Sequence, residues 1–220
     1  MFVAAWLFLP FWLFLCVAAY LYFVPLFQPL IFSVPLAVLL FLTASWPHYL
    51  FAAVLLGAAF FLMLGIKDLV LLERRQSYEA LVFLLLFLFC FRFFAWFPNW
   101  SGQFIFVTPF ILAAVFFILV SSFISYERGL TALEQPSGNR RDVALVGVSA
   151  LLLWQYAQVV LFLPFNSHLQ AALSFLAAAF LFEVLICYRR GAAPSFLFPA
   201  VASVFFVLTA LVLGIARWTL

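Results

Sequence analysis

Acidic and basic side chains are missing from the first 66 residues, and the first charge in the sequence is Lys67. A stretch that long without charge cannot be a water-facing surface, since about a quarter of an ordinary soluble domain is charged. Over the whole chain of 220 residues only 8% of side chains are charged, whereas 70% are hydrophobic. Lipid is therefore the solvent the sequence calls for. Histidine is nearly absent: His48 and His168 are the only two, and both fall in turns without the acidic or thiolate partners that zinc would need. Cysteine is limited to Cys16, Cys90 and Cys187. Their spacing gives no metal motif and no disulfide framework, and all three fall inside apolar runs, where a thiol is a small packing group.

Further absences narrow the function. There is no Gly-rich phosphate loop, no His-Glu-x-x-His helix and no Gly-x-Ser-x-Gly elbow. The sole lysine lies at a segment boundary, which argues against a Schiff base inside a span. Proton relays use chains of acidic groups and histidines within the membrane, and only Glu183 is so placed. No metal or cofactor is expected. The longest polar stretch, Glu127 to Asp142, is too short to bury a core, so residues 1–220 read as a single integral membrane domain. The net charge of +3 reflects loop bias and does not point to nucleic acid. Met1 to Trp6 carries no basic residue, unlike the start of a cleaved signal peptide, so the first apolar segment is expected to be retained.

What is present is apolar and aromatic, with 33 Phe. Only helices and closed barrels satisfy their backbone groups in lipid. Barrel strands alternate apolar and polar residues, and runs such as Ala80 to Phe91 do not. The expected fold class is thus an all-α polytopic bundle of about eight transmembrane helices, at 2–24, 30–46, 49–66, 80–97, 104–125, 143–163, 169–188 and 196–216. The second and third are short, with a re-entrant hairpin as the alternative. Basic residues gather after spans three (Lys67, Arg74, Arg75), five (Arg128, Arg140, Arg141) and seven (Arg189, Arg190). By the positive-inside rule those loops are cytoplasmic, which puts both termini outside. Trp46, Trp96 and Trp100 near the outer ends and Tyr78, Tyr126 and Tyr188 near the inner ends agree with interfacial anchoring. Spans five and seven end alike, in Ser125-Tyr126-Glu127-Arg128-Gly129 and Cys187-Tyr188-Arg189-Arg190-Gly191. A parallel helix-pair repeat is one explanation, and common anchoring at helix ends is the other.

Polar groups inside spans are costly and are the default binding candidates. Arg92 lies near the outer end of span four and either snorkels or holds an anionic group. Gln155 and Gln158 share one face of span six and either bond across helices or line a polar pocket open to the outside. Asn99, Asn166 and His168 would ring its mouth. Glu183 lies about one turn inside the inner end of span seven and either joins an ion pair or binds a coupling ion. The small-xxx-small spacing of Ala53 to Gly57 and Ser174 to Ala178 places spans three and seven at the bundle centre, leaving the Phe-rich spans one, four and eight to face lipid or partners. The leading expectation is a non-enzymatic scaffold, assembly or accessory subunit of a membrane complex. It would contact membrane lipid, and other membrane proteins through the Phe-rich spans or the loops Lys67–Glu79 and Glu127–Asp142. The alternative is a small transporter or binder of a lipid-like or apolar solute. Third comes an intramembrane enzyme acting on a lipid-linked substrate. The compact loops suit a bacterial cytoplasmic membrane.

Overall fold

The computed structural model describes residues 2–23, 33–46, 50–67, 74–96, 108–131, 139–189 and 197–215, with the backbone alone at a few helix ends. His48, Asn99, Arg190 and the middles of both polar loops lie outside the described residues. Among those described, all regular structure is helical: α1 (Phe2–Phe8), α2 (Phe11–Phe23), α3 (Ser33–Ser45), α4 (Leu50–Lys67), α5 (Arg74–Trp96), α6 (Thr108–Thr131), α7 (Asn139–Phe162), α8 (Ser167–Arg189) and α9 (Leu197–Ile215). Four of them, α5 to α8, are long and apolar enough to cross a membrane, and α2, α3, α4 and α9 contribute shorter apolar helices. The chain forms two compact units, Met1–Leu88 with Ser122–Glu134, and Phe89–Ser121 with Gln135–Leu220.

In the first unit the expected span at 2–24 is divided. Pro10 has no backbone N–H, and its ring collides with the preceding turn, so α1 stops at Phe8 and α2 starts at Phe11. Helical bonds persist on either side, with Leu9 N donating to Ala5 O at 2.9 Å and Phe14 N to Pro10 O at 3.0 Å. The short α1 packs against α4 and buries Phe2, Ala5 and Trp6. Phe2 stacks on Phe60 with centroids 4.1 Å apart and meets Phe14 edge-on at 5.2 Å. From Phe14 the buried stripe of α2 continues through Ala18 and Tyr22, one residue per helical turn. α1 and α4 come close at Gly57, where an added Cβ would lie 2.5 Å from Val3 Cγ2.

Trp6 also completes the end of α3. The last carbonyls of a helix lack intrahelical donors. The residue four on from Thr43 is Pro47, which has no N–H to offer. The buried Trp6 indole Nε1 donates to Thr43 O at 3.1 Å instead.

The first turns of α5 and the last turns of α6 also belong to this unit. Arg75 pairs with Glu79 at 3.4 Å, one turn along its own helix, and with Glu127 of α6. A turn further in, the Tyr78 and Ser122 hydroxyls are hydrogen-bonded at 2.9 Å. The Tyr78 ring packs on Phe123 and edge-on against Tyr126.

In the second unit α8 packs against both α7 and α9. The α7–α8 turn is built by its own polar groups. Phe165 N donates to Leu163 O at 2.7 Å, Leu169 N to Asn166 Oδ1 at 2.8 Å, and Gln170 Nε2 to Leu163 O at 3.2 Å. At the far end of the same helix pair Arg189 meets Asp142 at 3.4 Å. The small residues Ala171, Ser174, Ala177 and Ala178 of α8 are buried, as their spacing suggests. The Phe-rich α5 departs from expectation. Half of its span is buried, as much as for α6 and more than the third buried in α7. Phe89, Phe93 and Phe94 all lie inside, because shape and aromatic packing, more than apolarity, decide what is interior when the solvent is itself apolar. α9 does expose its large apolar residues, Val204, Phe206, Val207 and Leu211 among them.

Candidate functional site

A groove of about 440 Å³ lies between α6 and α7 in the second unit. From α6 it takes Phe110, Ala113, Ala114, Phe117 and Ile118, and from α7 Gly147, Ala150, Leu151 and Trp154. Each set repeats at i, i+3, i+4 and i+7, the spacing of one helix face. The lining combines the small residues Ala113, Ala114, Gly147 and Ala150 with the aromatic residues Phe110, Phe117 and Trp154. The Trp154 indole N–H is the one polar side-chain group in this lining. A Cβ added at Gly147 would meet nothing within 4 Å, so there is open space at that position.

None of the polar residues singled out by sequence lines this groove. Gln155 and Gln158 sit on the same helix as Trp154 yet differ from each other. Gln155 is exposed, whereas Gln158 is half-buried with its Nε2 lacking a hydrogen-bond partner among the described residues. Asn166 caps α8 through its side-chain oxygen, a structural duty that N-terminal helix donors commonly demand. Glu183 is half-buried on α8. Asn99 lies outside the described residues.

Arg92 and His168 occupy one end of this unit. The His168 ring faces Phe91 with centroids 6.4 Å apart and 31° between planes, which brings the start of α8 against the end of α5. The Arg92 guanidinium carbon lies 5.4 Å from the centre of the Trp96 ring, within cation–π range. Its Nε is buried and has no hydrogen-bond partner among the described residues.

The groove escaped the sequence reading for a physical reason. On a soluble protein an apolar stripe stands out against polar faces, but in α6 and α7 nearly every face is apolar, and periodicity carries little contrast. The available signal was residue size, in the small residues at 113, 114, 147 and 150. Compared with known protein families, curated proteins and solved structures, the chain matches none.

Proposed function

We propose that this chain is a non-enzymatic subunit of a membrane complex, a scaffold or assembly partner that receives an apolar transmembrane helix of another protein between α6 and α7. The groove is the observation that supports this reading. Helices in lipid gain little from apolarity itself and associate by close packing over small residues. Ala113, Ala114, Gly147 and Ala150 permit that approach, and α7 buries the smallest share of its length among the four long spans. We assign eight spans with both termini outside and the basic loops inside, in a bacterial cytoplasmic membrane. On that topology the loops Lys67–Glu79 and Glu127–Asp142 offer partners or anionic lipid a second contact. The groove's volume also favours a second reading, a binder or small transporter of a lipid-like solute, since small-molecule sites run from ~300 to ~1,000 Å³.

Filling the groove tests the subunit reading. Gly147→Leu and Ala150→Leu are expected to stay folded and membrane-inserted yet lose the proteins that accompany the wild-type chain through gentle detergent extraction. Gly147→Cys is expected to crosslink to a partner helix. A wild-type chain that leaves the membrane as a lone monomer, with no crosslink from position 147, overturns the reading.

A further inference from the structure

Among the described residues Arg92 has no acidic partner. It lies four residues before the end of α5, about 6 Å along the axis at ~1.5 Å per residue. Among the described residues its one interaction is with the Trp96 ring. The other described arginines of known pairing differ: Arg75, at the opposite end of the same helix, holds Glu79 and Glu127, and Arg189 holds Asp142. Those carboxylates sit at the beginnings of α5 and α7 and near the end of α6, and Glu183 lies toward the end of α8. Arg92 stands at the far end of α5, beside the beginning of α8. The chain thus supplies no described carboxylate at this end, although an unpaired charge within an apolar span is strongly disfavoured.

The surrounding groups indicate which anion would suit this cation. Arginine presents a planar fork of donors that matches phosphate oxygens two at a time. The Trp96 ring holds the guanidinium from one side. His168 is exposed next to Phe91 and adds an imidazole N–H at the same end. The neighbours Phe93 and Phe94 are buried and Trp96 is exposed, so the site belongs at the boundary between hydrocarbon and headgroups, where tryptophan concentrates.

We propose that Arg92, with Trp96 as its platform and His168 at the same end of the unit, binds the phosphodiester headgroup of a membrane phospholipid. Free phosphate shares this chemistry, but the apolar setting selects a phosphate that carries acyl chains. The site is separate from the α6–α7 groove and stands or falls independently of it.

Native mass spectrometry and thermal unfolding of the full chain in detergent test the proposal, with four additives: phosphatidylglycerol, phosphatidylcholine, diacylglycerol and inorganic phosphate. The two phospholipids are expected to leave one retained molecule per chain and to raise the unfolding temperature, while diacylglycerol and inorganic phosphate do neither. Arg92→Gln is expected to weaken retention about tenfold or more, as loss of a charged hydrogen-bond donor does, while unfolding in lipid-free detergent at the wild-type temperature. Arg92→Lys is expected to keep part of the retention and His168→Gln to lose less than Arg92→Gln. Gly147→Leu is expected to leave retention unchanged. Equal phospholipid retention by wild type and Arg92→Gln overturns the proposal. So does an equal effect of diacylglycerol, which would show an acyl-chain site, or of inorganic phosphate alone, which would show a solute site. A carboxylate of a co-purified protein crosslinked beside position 92 overturns it as well.

Discussion

At the scale of single residues, the positions that matter most are those where the chain has no room or no spare donor. Gly57 is the first kind. Any side chain there meets Val3 Cγ2, and valine in a helix is nearly fixed at χ1, so the methyl cannot swing away. Gly57→Ala is expected to destabilise the protein by about 1–3 kcal/mol, the usual range for overpacking, seen as a lower unfolding temperature in detergent. Val3→Ala in the same chain is expected to restore most of the loss. A double variant no more stable than Gly57→Ala alone would place the strain elsewhere. Trp6 is the second kind, an indole whose donor replaces the one Pro47 cannot offer. Neither role is written in local sequence. Gly57 was legible as one end of a small-residue spacing, but the partner that demands it, Val3, lies more than fifty residues away in a segment that reads as uniformly apolar.

At the scale of elements, helices were easy to read and their ends less so. Long apolar runs without alternation left no other backbone arrangement in lipid, and α5 to α8 fall close to the expected spans. The division at Pro10 was missed because the apolar run continues unbroken across it, although a proline inside a helical pattern ends or kinks it. Asn166 reads from its polarity as a residue at the mouth of a pocket. Its place just before Ser167 makes it the cap of α8, a signature that Asn at a helix start carries openly. Arg75 at the start of α5 was legible as a topology signal, yet its span to Glu127 depends on how α5 and α6 align and could not be read along the chain. The same pairing brings Tyr78 to Ser122. Tyr78→Phe and Ser122→Ala are each expected to cost about 1 kcal/mol, and the double variant less than their sum, because either change alone removes the shared bond. Full additivity in detergent unfolding would mean that the two hydroxyls do not stabilise each other.

At the scale of the whole molecule, the sequence indicated the membrane class through one property, the absence of charge, and that same uniformity concealed which faces are interior. The described helices do not share one length. α5 to α8 have 22 or more apolar-span residues each apart from α6 with 21, enough for a hydrocarbon layer of ~30 Å. α2 and α3 have 13 residues each, about 20 Å at ~1.5 Å per residue. A bilayer meets a short apolar element by thinning around it, at a free energy of a fraction of a kcal/mol for each Å of mismatch. The described lengths of α2 and α3 lead us to expect a stability that depends on membrane thickness. Reconstituted into short-, medium- and long-chain phosphatidylcholine vesicles, the protein is expected to unfold at the highest temperature in the short-chain lipid. Bromine-labelled acyl chains are expected to quench the exposed Trp12 at shallower label depth there than in long-chain lipid. Unfolding temperatures independent of chain length would refute this. In a cell whose membranes differ in thickness, the break at Pro10 and the short helices behind it would act as an address, drawing this chain to thin bilayer and holding whatever binds it there.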